Sequence, residues 1–183
     1  MSDPSRICSW KIAFALDNPI RRLIHNPQKI LGEYIEPGQT VLDVGCGPGT
    51  FSIAMAKMVG ELGKVIAVDV QEEMLQIVRE KAVQQGLESI IVTHKSGPDR
   101  IGLSEKVDFA LAFYMVHEVP DAEAFLKEVA SALKPRGKLL IVEPRMHVSA
   151  AAFERTIDIA RRVGLKPVSE PKIRFSRSKL LSL

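Results

Sequence analysis

The sequence has little cysteine, little net charge and no long apolar run, and each shortage removes a class of protein. Two cysteines, Cys8 and Cys46, could form at most one bridge. That is no disulfide framework, and both read as reduced thiols of a cytoplasmic protein. A net charge of +3 over 183 residues does not suggest a nucleic-acid binder that works by charge alone. No apolar run approaches the roughly 20 residues needed to cross a bilayer. The opening stretch MSDPSRICSWKIAFAL lacks the basic segment, apolar core and small-residue cleavage site of a secretion signal. Internal repeats and low-complexity tracts are also absent.

What is present describes a globular chain. Apolar residues make up 46% and charged residues 26%, and the length suits one domain over 1–183. Its first part, 1–37, lacks a strand pattern. Asn-Pro occurs there at Asn18-Pro19 and Asn26-Pro27. Asparagine caps helices and proline fits the first helical position, so two short helices are expected, with Ile30, Leu31 and Tyr34 facing inward in the second. From 38 to 183 strand and helix alternate. TVLDV reads as a buried strand, and KVIAVDV, SIIVTH, VDFALAFYM and GKLLIVE read as four more strands. TFSIAMAKMV and EEMLQIVREKAVQQG read as helices between them, Gly86 ending the second. Asp121 and Ser149 are placed to cap two more, with Phe125, Leu126, Val129, Ala130 and Leu133 forming the inner face of the first. Two weak strand candidates follow Leu165. The pattern predicts an α/β fold: a doubly wound, mostly parallel sheet with helices on both faces. The basic tail (Lys166, Lys172, Arg174, Arg177, Lys179) reads as a solvated strand edge.

In such sheets ligands bind beyond the carboxyl ends of the strands. The first such segment is VLDVGCGPGT, Val41 to Thr50. Glycine costs backbone entropy on folding, so three in alternation imply close approach to the main chain. The spacing is not that of a dinucleotide loop, because Thr50 stands where the third glycine belongs, and no Gly-Lys-Ser/Thr follows. The loop carries no base. Asp43 stands beside it, which disfavours a diphosphate and favours a cation. The second strand ends at Asp69, whose two acceptor oxygens suit the two hydroxyls of a ribose. A nucleoside carrying an amino acid and a sulfonium meets these demands.

With GKVIAVDVQEEML and LKPRGKLLIVEP, these motifs make the stretch from about Thr40 to Pro144 resemble the class I S-adenosylmethionine-dependent methyltransferases, and most closely the quinone-biosynthesis subgroup. The resemblance implies S-adenosylmethionine as cofactor. It implies that Gly45, Cys46, Gly47 and Gly49 pass under it, the Cys46 thiol acting as a small packing group. Asp43 would sit near the methionine amino group and Asp69 would hold the ribose. Val70, Gln71 and Met74 would border ribose and adenine. Gly97 and Pro98 would meet the adenine, with Asp99 as the acid of that loop, and Phe113 would border the methionine portion.

For an acceptor that must lose a proton, histidine is the natural base near neutral pH. His117, in FYMVHEVPD after the fourth strand, is the candidate, with Glu118 beside it; a structural hydrogen bond is the competing role. Glu143 and His147 after the fifth strand are candidate substrate contacts. No familiar metal spacing appears, and no metal site is expected. Trp10, Phe14 and Asp17 could line an acceptor site. The expected reaction is methyl transfer to a small-molecule acceptor. The Asn/Asp-Pro-Pro-Tyr/Phe signature of base N-methylation is missing, which argues against a nucleic-acid acceptor. The alternatives are a cofactor-binding module without catalysis, and a methyltransferase acting on protein or RNA.

Overall fold

The computed structural model describes residues 24–97 and 100–183. They belong to two compact units, the first ending at Ser96 and the second covering Gly97–Leu183. The expected helix at Asn18-Pro19 lies outside the described residues.

The first unit opens with a short helix, α1 (Pro27–Leu31). Its cap is the expected one: the Asn26 side chain accepts a hydrogen bond from the Lys29 N–H at 3.2 Å, with Pro27 in the first turn. Leu31 is fully buried, while Tyr34 is only half-buried. Then follow β1 (Thr40–Val44), α2 (Thr50–Val59), β2 (Lys64–Asp69), α3 (Glu72–Gln84) and β3 (Ile91–Lys95). β1 and β3 both pair parallel to β2, giving the order β3-β2-β1. The centre of this unit is apolar on both sheet faces, as Val41, Leu42, Val65, Ile66 and Val68 show by their burial. That is why these strands read as unbroken apolar runs. α3 buries Met74, Leu75, Val78 and Ala82 on one face. Each of its larger apolar side chains contributes about 1.5–3 kcal/mol by leaving water. Glu72 and Glu73 in its first turn and Lys81 in its last complement the helix dipole.

The second unit contains β4 (Val107–Phe113), a single 3-10 turn (Val116–Glu118), α4 (Ala122–Ala132), β5 (Leu133–Pro144), α5 (Ala150–Arg162), β6 (Lys166–Ser169) and β7 (Ser176–Ser182). Asp121 caps α4 by accepting from the N–H groups of Glu123 and Ala124. Ser149 caps α5 by accepting from Ala152 at 3.1 Å. Leu133 belongs to β5 and not to α4 as expected. Its ψ is 142°, and the nearby Pro135 explains the early stop, since helices rarely run up to a proline.

β4 and β5 are parallel; β7 is antiparallel to both β5 and β6, and the order is β4-β5-β7-β6. β6 is the exposed edge, its four residues all solvent-facing. β7 lies inside the sheet. Lys179 on it is 6% exposed, which corrects the reading of the whole basic tail as solvated edge. Among the described residues no helix is long and apolar enough to cross a membrane.

Candidate functional site

Two clusters carry the chemistry, one in each unit. In the first, the chain leaves β1 through three glycines with positive φ: Gly45 at 67°, Gly47 at 51° and Gly49 at 81°. Gly47 and Gly49 need their lack of a side chain for different reasons. A β-carbon on Gly49 would stand 2.8 Å from Val78 Cγ2, so this glycine lets α3 pack against the loop. A β-carbon on Gly47 would meet nothing within 4 Å. The space above Gly47 is open, and a ligand can lie on its backbone there. The loop is tied down by the Cys46 N–H donating to Val68 O at 2.9 Å and by Lys81 Nζ donating to Pro48 O at 2.7 Å.

Asp69 closes the crevice at the end of β2. Its Oδ2 accepts from the Gly47 N–H and its Oδ1 from the Gln71 N–H, both at 2.9 Å. Each oxygen retains acceptor capacity, because a carboxylate offers about four lone-pair sites. The carboxylate thus anchors the loop as well as offering acceptor sites to a ligand. The side chain is 8% exposed. Burial raises its pKa, against the opposing backbone hydrogen bonds from Gln71 and Gly47.

Asp43 is 2% exposed and accepts a 2.5 Å hydrogen bond from Ser52 Oγ. Burial pushes its pKa up to about 7, the Ser52 hydrogen bond opposing and the charge of Asp69 adding to the rise. Two buried carboxylates therefore sense each other here, a setting that a cation would relieve. The Cys46 thiol is buried and unbridged. Its pKa is raised well above the ordinary value by burial and then by Asp43 and Asp69. A raised pKa favours the neutral thiol over the thiolate.

Val70 and Gln71 are half-buried beside this crevice, and Gln71 is the residue before α3. Met74 is 1% exposed and packs inside the unit. Ser96, after β3, donates its N–H to Asp69 O at 3.1 Å. Pro98, Asp99, Trp10, Phe14 and Asp17 lie outside the described residues.

In the second unit, Gly97 is exposed and its N–H donates to Arg100 O at 2.9 Å. Phe113 ends β4, 7% exposed, with its ring 4.5 Å from that of Tyr114. Tyr114 takes a φ of 61°, rare for a residue with a β-carbon, and its hydroxyl pairs with Ser176 Oγ at 2.6 Å.

The next turn presents His117. Glu143, at the end of β5 and 2% exposed, takes the His117 backbone N–H on Oε1 at 3.2 Å and the ring Nδ1 on Oε2 at 2.5 Å. That leaves Nε2, with Glu118 Oε1 3.9 Å away. The His147 ring stands edge-on to that of His117 at 6.2 Å. The Glu143 hydrogen bond raises the His117 pKa, partial burial opposes it, and the charges of Glu143 and Glu118 add to the rise. The four residues singled out after β4 and β5 thus come together. Among the described residues no group of three or more His, Cys, Asp or Glu side chains is arranged to hold a metal ion.

Ser52 and the Tyr114–Ser176 pair were not anticipated. Ser52 had one available signal, a hydroxyl on an otherwise apolar helix directly after a loop beside an aspartate. Tyr114 and Ser176 are 62 positions apart, and nothing local links them.

The chain matches the methyltransferase domain family over residues 35–163, a stretch that runs through both units. It is 32% identical over 109 residues to a demethylmenaquinone methyltransferase of Bacillus cereus, covering 60% of this chain and 46% of that protein. It is equally similar, at 32%, to the demethylmenaquinone methyltransferase of Halalkalibacterium halodurans, covering 60% and 44%. The chain thus spans less than half the length of these curated relatives. A crystal structure of a SAM-dependent methyltransferase from Aquifex aeolicus superposes with a TM-score of 0.86 at 30% identity, covering 96% of this chain and 99% of the other. The doubly wound, mostly parallel α/β fold and the glycine crevice ending in Asp69 therefore have one source: the chain belongs to the methyltransferase domain family, within the class I S-adenosylmethionine-dependent methyltransferases.

Proposed function

We propose that the first unit binds S-adenosylmethionine in the glycine crevice and that the chain transfers the methyl group to a small-molecule acceptor. The observation that carries this reading is the pairing of Asp69 with open space: a buried carboxylate with spare acceptor sites, held by backbone amides, beside a glycine whose missing β-carbon leaves room. The residues fit the cofactor. Asp69 accepts the ribose hydroxyls, the Gly45–Gly49 backbone runs beneath it, and Val70 and Gln71 flank the sugar. Asp43 faces the methionine ammonium group.

When bound, S-adenosylmethionine supplies a methyl carbon made electrophilic by a sulfonium. His117 takes the proton of the acceptor's nucleophile on Nε2, while Glu143 fixes the tautomer by holding the Nδ1–H. Both units together form one methyltransferase domain, as the family match across 35–163 suggests. The names of the curated relatives favour a quinone-type acceptor. A metabolite acceptor rather than nucleic acid agrees with the missing base-methylation signature, and the low cysteine content favours a cytoplasmic setting.

Calorimetry tests the reading. S-adenosylmethionine should bind, and a nicotinamide dinucleotide should not. Binding places a cation against Asp43 and expels its proton, so affinity should tighten as pH rises through about 7. Failure to bind overturns the reading. Release of S-adenosylhomocysteine from metabolite extract, with mass identification of the methylated product, then separates the enzyme from a silent binding module.

A further inference from the structure

The second unit has a cavity lined by residues to which the proposed function gives no role. It holds about 600 Å³, within the range of small-ligand sites, and lies among α5, the β6–β7 loop and the residues after β5. Its lining is one-sided in charge. Arg145, Lys172, Arg174, Arg177 and Lys179 face it, against only Glu154 and Glu170. Both carboxylates are engaged by a single cation: the buried Lys179 pairs closely with Glu170 and lies 4.0 Å from Glu154. Among the described residues no carboxylate lies within ion-pair distance of Arg145, Lys172 or Arg177.

Two of these guanidinium groups are fixed in place. Arg145 donates from Nε to Ser176 O at 2.9 Å, and Arg177 donates from Nε to Val148 O at 3.0 Å. Their remaining N–H groups are held without an acid to receive them. An anchored guanidinium meets a carboxylate with little further loss of freedom.

The opposite character comes from Phe175. It is 59% exposed and has a φ of 58°, a conformation rare for residues with a β-carbon. Its carbonyl accepts the Arg145 N–H at 3.0 Å, and the Arg174 guanidinium lies 5.1 Å above its ring. The fold thus holds an aromatic ring in a costly backbone state without burying it, a combination that points to use. Phe153 and Ile173 extend the apolar wall.

We propose that this cavity binds a small organic anion: a carboxylate on a flat apolar body, its charge on Arg145, Lys172 and Arg177 and its body against Phe175. The test contains no S-adenosylmethionine, so its outcome is independent of the methyl-transfer reading. Calorimetry on the full chain compares naphthoate with its neutral isostere naphthamide. Naphthoate should bind at least about tenfold more tightly, the effect of one net charge-assisted hydrogen bond. Lys172→Glu, an exposed loop change, should remove that preference while the thermal melt stays unchanged. Phe175→Gly should weaken naphthoate binding while melting at or above the wild-type temperature, because glycine relieves the positive φ. Absent binding, equal binding of the two probes, or a preference surviving Lys172→Glu overturns the proposal.

Discussion

Asp69 and Glu143 make an instructive pair. Each is a buried carboxylate at the end of a strand, and each accepts a backbone N–H from the following or neighbouring turn. They differ in the second partner. Asp69 holds two amides, which cannot titrate, so it is a fixed acceptor with capacity to spare. Glu143 holds an imidazole, which can, so it sets the protonation of its neighbour. On the proposed reading, the same device serves binding in one unit and proton handling in the other.

Removing each carboxylate's dependants should separate these roles, and the largest effect belongs to Asp69. Asp69→Ala should weaken S-adenosylmethionine binding by on the order of a hundredfold or more, since two charge-assisted hydrogen bonds are lost at about 1.5–3 kcal/mol each. It should also lower the melting temperature of the free protein, because the Gly47 and Gln71 amides lose their acceptor. An unchanged affinity would place the sugar elsewhere. Next, His117→Ala should slow turnover by about a hundredfold at unchanged cofactor affinity, the lower range for losing a general base. Equal turnover would return His117 to a structural role.

The two glycines sharpen the contrast within the first unit. Gly49→Ala should destabilise the protein by about 1–3 kcal/mol in denaturant melts, from the clash with Val78 and the left-handed backbone. Gly47→Ala should lose less stability and more affinity, since its β-carbon would occupy the ligand's space. The reverse pattern would contradict the crevice.

The smallest effect is a shift of pH. The His117 pKa is raised in the folded protein, so its pairing stabilises fully below the unfolded value, near 6.5, and is lost as pH rises through the folded one. Turnover should therefore rise with pH through a value above 6.5, as Nε2 becomes free to accept a proton. Glu143→Gln should move that limb to lower pH. A limb that stays put would remove Glu143 from control of His117.

The two regions were unequally legible in the sequence. The crevice lies within one strand, one loop and one helix, and its glycines and Asp43 are near neighbours; only Asp69 comes from further along, at the next strand end. Local spacing therefore exposed it. Its bonds to the Gly47 and Gln71 amides were hidden, because a side chain reaching a backbone leaves no mark in residue type. His117 and Glu143 were each noticed at a strand end, but their contact depends on the β4–β5 register, which pairs Phe113 with Val142. The cavity was least visible. Its bases looked like a solvated edge until β7 proved to run inside the sheet, with Lys179 buried and drawing both acids.

The most direct measurement is a crystal structure with S-adenosylhomocysteine bound. Both ribose hydroxyls should lie within hydrogen-bond distance of the Asp69 carboxylate, with the backbone of Gly47 against the ligand. A sugar bound away from Asp69, or a crevice closed by side chains, would contradict the assignment.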